Sequence, residues 1–306
     1  LRVSVIISTY NPDEKRLAQT LDGLKNQSLA KHEWDLIIID NNSTNNFHTQ
    51  LDLSWHPFAQ IITETRQGLT YARLRGFNEA VTGIIVMVDD DNVLHTDYLE
   101  QVVSIFDQHH QLAAIGGKSL PLFETEPPAW LPEFHHNLAL RDPGNDVIIE
   151  GWDNKYPDAA PIGAGMGIRY KALKPYIDKI ASGKSTIGDR TGSSLSSGGD
   201  NDIVLEILKS GWQVGYFPQL QLKHIIPANR MEVAYLARLA HNTNKSWVQL
   251  LHHHGINPWQ QIKPAGVMPR KIKAWFSYKA WQSKAAYIKW QGACGMFEGL
   301  AALPEN

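Results

Sequence analysis

Short apolar runs rich in Ile and Val recur through the first third of the chain, at Val3–Ser8, Asp35–Ile39, Ile61–Thr63, Ile84–Val88 and Leu112–Ile115. Each is bounded by polar clusters and is shorter than a typical helix, the pattern of strands buried on both faces. Between them lie stretches with the helical period. Leu17, Leu21 and Leu24 follow Asn11-Pro12-Asp13, where an early proline suits a helix start. Leu69–Ala80 and Thr96–Phe106 repeat the pattern. Alternation at this spacing implies right-handed βαβ crossovers, and the expected fold is α/β, a doubly wound and mostly parallel sheet.

From about 119 to 160 the alternation stops. Pro121, Pro127, Pro128, Pro132, Pro143 and Pro157 interrupt any long element, and Trp130 and Trp152 sit among them. A long irregular segment or a short antiparallel excursion over the sheet is expected, of the kind that shapes binding sites. Gly163–Gly167 then leads into a strand and a helix near Lys171–Ile180. Residues 182–199 are rich in Ser and Gly and read as a flexible loop. A helix over Asp202–Ser210 and strands at Val214–Phe217 and Leu220–Leu222 follow, and beyond Pro227 the pattern is helical.

Length and composition fit this picture. The 306 residues, 43% hydrophobic and 20% charged, suffice for one large or two smaller domains and exclude a disordered chain. No eighteen-residue uncharged apolar run suggests a spanning helix. The net charge of −2 hides an asymmetry: residues 1–230 carry −8 and residues 231–306 carry +6. The acidic body argues against a nucleic-acid partner. The single cysteine, Cys294, excludes an intramolecular disulfide and Cys-based zinc sites. The chain opens on Leu1-Arg2-Val3 with neither a charged n-region nor a cleavage site, and the expected compartment is the cytoplasm or the inner face of a membrane.

Ligands of open α/β sheets bind beyond the carboxyl ends of the strands, and two strands here end in acid. Asp35–Ile39 runs into Asp40-Asn41-Asn42-Ser43, and Ile84–Val88 runs into Asp89-Asp90-Asp91-Asn92. Three adjacent carboxylates after a buried strand repel one another unless a positive group sits among them. A divalent cation supplies it, and oxygen ligands point to Mg²⁺ or Mn²⁺, ions that usually also bind substrate phosphates.

Ser8-Thr9-Tyr10-Asn11, Asp40–Ser43, Gly68-Leu69-Thr70-Tyr71-Ala72-Arg73, Asp89–Asn92, Gly163–Arg169, Gly199-Asp200-Asn201-Asp202 and His224 stand in an order and spacing that resemble family 2 glycosyltransferases of GT-A fold. The resemblance spans roughly residues 3–226. It implies a GT-A catalytic domain over 1–230, with a nucleotide-binding half to about 118 and an acceptor half from 119, followed by a helical extension over 231–306. It also implies inverting transfer from a nucleotide-sugar, by default a UDP-sugar, to a hydroxyl of a glycan or lipid-linked acceptor. On that likeness Thr9, Tyr10, Asn11, Asp40 and Asn41 line the nucleotide pocket. Gly68 and Arg73 help hold the donor, and Asp89 and Asp90 lie by the ribose and diphosphate. Asp91 ligates the metal, and His224 completes the metal or diphosphate site. Leu74 replaces an Asn common in the family, which loses one polar contact near the donor.

The reaction needs charge neutralisation on the leaving diphosphate and a base for the incoming hydroxyl. Asp200 is the candidate base, aligned with the Asp of the family's Glu-Asp motif, although Gly199 stands where that Glu is usual and Asp200 could equally cap its helix. Trp130, Trp152, Gly165 and Met166 are the candidate acceptor contacts, the tryptophans serving either as stacking platforms or as core plugs. His252-His253-His254 is read as non-functional, because successive helix residues point in different directions. In the basic tail, a stripe of Ala274, Tyr278, Trp281, Ala285 and Ile288 within residues 268–293 is expected on one helix, either on an anionic membrane or docked to the body or a subunit. Two rivals share the sheet. A sugar nucleotidyltransferase wants a Gly-rich basic loop after the first strand, where this chain has Thr9-Tyr10-Asn11-Pro12. A non-catalytic sugar-nucleotide-binding or scaffold protein draws support from Gly199.

Overall fold

The computed structural model describes residues 1–182 and 198–304, so nearly all of the Ser- and Gly-rich stretch over 182–199 lies outside the described residues. The strands are β1 (Val3–Thr9), β2 (Trp34–Asp40), β3 (Ala59–Thr63), β4 (Ile84–Val88), β5 (Asn92–Leu94), β6 (Leu112–Phe123), β7 (Ile148–Glu150), β8 (Gly167–Arg169) and β9 (Gln213–Ile226). The helices are α1 (Glu14–Lys25), α2 (Leu69–Glu79), α3 (Tyr98–Gln108), α4 (Lys174–Ala181), α5 (Gly199–Lys209), α6 (Val233–His253), α7 (Val267–Ser277) and α8 (Lys284–Ala301). Two compact units emerge: residues 1–122, 139–182 and 203–225 form the first, and 123–138, 198–202 and 226–304 the second.

The first unit is built on one mixed sheet of strand order β3-β2-β1-β4-β8-β6-β9-β5, with β7 also paired to β9. It is parallel through β3-β2-β1-β4, as the βαβ pattern requires. Beyond β4 the expectation of a mostly parallel sheet is corrected: β8 runs antiparallel to β4 and β6, and β5 and β7 run antiparallel to β9. A parallel return needs a crossover of a dozen residues or more, usually a helix. The proline-rich segment after β6 does not form one, and its only helical stretch is a 3₁₀ run at Leu131–Leu138.

Alternation along each strand feeds two cores. Val3, Val5 and Ile7 of β1 face α1 and α3, while Ile6 faces the side covered by α2, α4 and α5. Asp13 starts α1, its side chain accepting from the Lys15 and Arg16 amides. The register matters for function. Thr9 lies opposite Asp40 and Ile7 opposite Val88, so the polar residues that end β1, β2 and β4 emerge at one edge.

In the second unit α8 lies against α6 at very close range, along Gly292, Gly295 and Gly299. A Cβ at Gly295 would sit 1.9 Å from the His241 carbonyl oxygen, and one at Gly299 2.9 Å from that of Lys245. The tail stripe expected on one helix is corrected. The chain turns between α7 and α8, with Lys279 at φ 50° and Ser283 accepting from the Ala286 amide to cap α8. Ala274, Ala285 and Ile288 of that stripe are buried, whereas Tyr278 and Trp281 are exposed. Trp275 and Trp290 meet edge to face at 4.7 Å, and the Trp290 indole donates to the Lys271 carbonyl, joining α7 to α8. Among the described residues no helix is long and apolar enough to cross a membrane.

Candidate active site at the strand ends

The edge of the first unit where β1, β2 and β4 terminate is laced by short side-chain-to-backbone bonds. Asp40, buried at the end of β2, accepts from the Ser43 amide at 2.8 Å and bends the chain back on itself, with Asn42 at φ 62° in the turn. The Asn11 amide donates to Ser43 Oγ at 2.8 Å, and the Thr44 amide donates to Asn11 Oδ1 at 2.7 Å, so the loops after β1 and β2 are latched together. Tyr10, between them, keeps 43% of its surface exposed.

Asn41 holds a third loop in place. Its Nδ2 donates to the carbonyls of Glu64 and Arg66, and its Oδ1 accepts from the Gly68 amide at 2.8 Å. The side chain expected against the nucleotide thus fastens the loop that opens α2. Gly68, at φ 134°, makes a turn that a side chain would strain, and Arg73 is buried one helical turn later. Sequence reasoning missed Glu64, a buried carboxylate beside this loop. Hydrogen bonding to Arg66 holds Glu64 below the usual carboxylate range, and the Arg66 guanidinium lies over Tyr71 at 4.8 Å.

The Asp89–Asn92 turn lies next to these loops. Thr9 Oγ1 donates to Asp90 Oδ2, tying the ends of β1 and β4. Asn92 clamps the turn, accepting from the Asp89 amide and donating to Asp91 Oδ1, both at 3.1 Å. The short β5 begins at Asn92 and pairs with β9 so that Asn92 faces His224. That register brings His224 Nε2 to 3.3 Å from Asp91 Oδ1, with both side chains 6% exposed. A carboxylate oxygen and an imidazole nitrogen this close are a donor pair of the kind that would suit a divalent cation such as Mn²⁺.

The remaining candidates separate. Gly165, at φ 73°, is pressed by the protein itself: a Cβ there would lie 2.5 Å from the Tyr98 hydroxyl, which donates to the Gly165 carbonyl at 2.7 Å. The Met166 side chain is fully buried in the core. Trp152 is half-buried, with Lys209 Nζ 5.5 Å from its ring centre.

Two candidates belong to the second unit. Trp130 is half-buried with its ring edge-on to Phe134 at 5.9 Å, and Asp200 lies in the first turn of α5. Asp202, two residues on, is buried and bonded by His254 Nε2 at 2.7 Å. His252 of the three-histidine run points elsewhere, its Nδ1 meeting Asn257 Oδ1 at 2.8 Å. Nothing in the sequence spacing flagged the Asp202–His254 pair, whose members are 52 residues apart.

The comparisons with known proteins agree with this architecture. The family model described as glycosyl transferase family 2 matches residues 4–157, half of the chain. Glucosyl-dolichyl phosphate glucuronosyltransferase of Haloferax volcanii is 23% identical over 245 residues, covering 77% of this chain and 73% of that protein. Among solved structures, Staphylococcus aureus TarS 1-349 in complex with UDP superposes with a TM-score of 0.54 at 13% identity, over 98% of this chain and 90% of that one. The mannosyltransferase PcManGT of Pyrobaculum calidifontis, in complex with GDP-Man and Mn²⁺, gives 0.60 at 16% identity, over 97% and 87%. The sheet with its C-terminal helices is thus a GT-A fold, and the chain is a glycosyltransferase belonging to family 2.

Proposed function

We propose that this enzyme moves a sugar from a UDP-sugar to a hydroxyl of a lipid-linked or glycan acceptor, with inversion at the anomeric carbon, in the cytoplasm at the inner face of a membrane. The observation that carries the proposal is the buried Asp91–His224 pair at the edge where three strands end in polar residues. UDP in the TarS complex and the glucosyl-dolichyl phosphate in the Haloferax enzyme's name support the donor and the lipid-linked acceptor.

In this reading Thr9, Tyr10, Asn11 and Asp40 receive the nucleoside, and Asn41 holds Gly68 and α2 so that Arg73 can meet the donor. Asp89 and Asp90 border the ribose and diphosphate. Asp91 and His224 would hold Mn²⁺ or Mg²⁺, whose charge stabilises the departing diphosphate. Asp200 accepts the proton of the acceptor hydroxyl as its oxygen bonds to the anomeric carbon and the bond to the diphosphate oxygen breaks. Trp130 and Trp152 offer stacking faces to an acceptor sugar.

Anomer-resolved NMR of the product tests the displacement, with inversion expected and a retained linkage refuting it. In parallel, Asp200→Asn should bind UDP as the parent does while transfer falls by about a hundredfold or more. Undiminished transfer by that variant would remove Asp200 as the base.

A further inference from the structure

The turn between α7 and α8 leaves a face of α7 uncovered. Met268, Ile272 and Phe276 recur every fourth residue, on one side of the helix, and are 61%, 55% and 63% exposed. Trp281 extends the patch: it is 54% exposed, with its ring edge-on to Phe276 at 5.7 Å and 6.3 Å from Trp275. The buried flank of the same helix is used, through Ala274 and the Trp275–Trp290 contact, so the exposed side chains are not the ones that hold α7 in place. A contiguous exposed apolar patch of this kind marks an interaction surface.

The surrounding charge identifies what the patch meets. Lys273 on α7, Lys279 in the turn after it and Lys284 at the start of α8 are all exposed, and between residues 233 and 297 the chain has no Asp or Glu at all. Lys271, the inward-facing cation of α7, is already paired with Glu298 at 2.6 Å and is not part of this set. A second copy docking through the same face would set cations against cations. An anionic surface would be attracted, with the aromatic and aliphatic side chains entering the headgroup boundary while the lysine stems reach back to the phosphates.

We infer that α7 and the turn after it, through Met268, Ile272, Phe276 and Trp281 together with the exposed lysines of the same segment, dock the enzyme peripherally on an anionic phospholipid bilayer. This extends the lipid-linked acceptor proposed above but does not depend on it, because binding is measured without donor or acceptor.

The test is partition of the full chain onto phosphatidylcholine vesicles with and without about a third phosphatidylglycerol, at low and high salt. Binding should require the anionic lipid and weaken as salt rises. Ile272→Ser with Phe276→Ser should lower partition about tenfold or more. Each cation neutralised among Lys273 and Lys279 should lower it by about fivefold. Unchanged thermal stability in the serine variant shows that only the surface was altered. In the parent protein, brominated lipids should quench tryptophan emission, and Trp281→Phe should remove part of that quenching. Equal partition of parent and serine variant onto anionic vesicles, or no binding or quenching by the parent, would overturn the inference. So would a dimer in sedimentation velocity that the serine substitutions dissolve, since that assigns the face to a second copy.

Discussion

Two asparagines at the strand ends hold the neighbouring loops in shape. Asn41 and Asn92 each bond through both the oxygen and the nitrogen of the side-chain amide to neighbouring chain. Asp91 and His224 meet only because of where Asn92 sits in its strand. Away from the site, His56 is a buried titrating group with a defined consequence. Burial against Trp34, whose ring is 4.1 Å away, and the nearby Lys31 ammonium push its imidazole down to about 4. The unfolded chain binds that proton near pH 6.5, so between about 6.5 and 4 the native state holds fewer protons than the unfolded one. Its contribution to stability is complete above pH 6.5 and is lost as pH falls through 4. Thermal melts should show the loss over that window, about 1–3 kcal/mol in size, and His56→Gln should flatten the slope. An equally steep slope in the variant would assign the acid sensitivity to other groups.

At the level of elements, close approach is set by glycine at the α6–α8 contact. Gly295→Ala would force a methyl against the His241 carbonyl, and the two helices should part at a cost of about 2 kcal/mol or more, read as a lowered unfolding midpoint. Gly83→Ala, where nothing lies within 4 Å of the new methyl, should stay within about 0.5 kcal/mol of the parent. Equal effects of the two substitutions would contradict the packing account. The same elements mark what was legible beforehand. Apolar runs ending in Thr9, Asp40 and Asp89–Asp91 announce parallel strands and their polar edge, because burial on both faces leaves an uninterrupted Ile and Val signature. The three-residue β5 carries no period, so its pairing with β9, and with it the setting of His224, had no local signal. The contact of Gly165 with Tyr98, 67 residues away, likewise had no local signal. In the tail, helical spacing ran unbroken across residues 278–283, and the turn there depends on backbone conformation at Lys279 and the Ser283 cap, which side-chain periodicity does not encode.

Over the whole molecule, the charge of −8 on residues 1–230 and +6 on residues 231–306 follows the division of labour proposed for it. Acids gather at the strand ends, where Asp40, Asp89, Asp90 and Asp91 would be offset by a cation, and exposed bases share a segment with the apolar face proposed to meet anionic lipid. A GT-A sheet and a family 2 sequence establish sugar transfer; the metal and the nucleotide are the proposal that gives the strand-end cluster its purpose. Isothermal titration calorimetry of UDP binding, with and without Mn²⁺, on the parent and on Asp91→Asn, tests that proposal most directly. UDP should bind the parent tightly only with the metal, and Asp91→Asn should weaken metal-supported binding by about tenfold or more, the loss typical of disturbing a metal site. Binding of equal strength with and without Mn²⁺, or equal in parent and variant, would contradict the account.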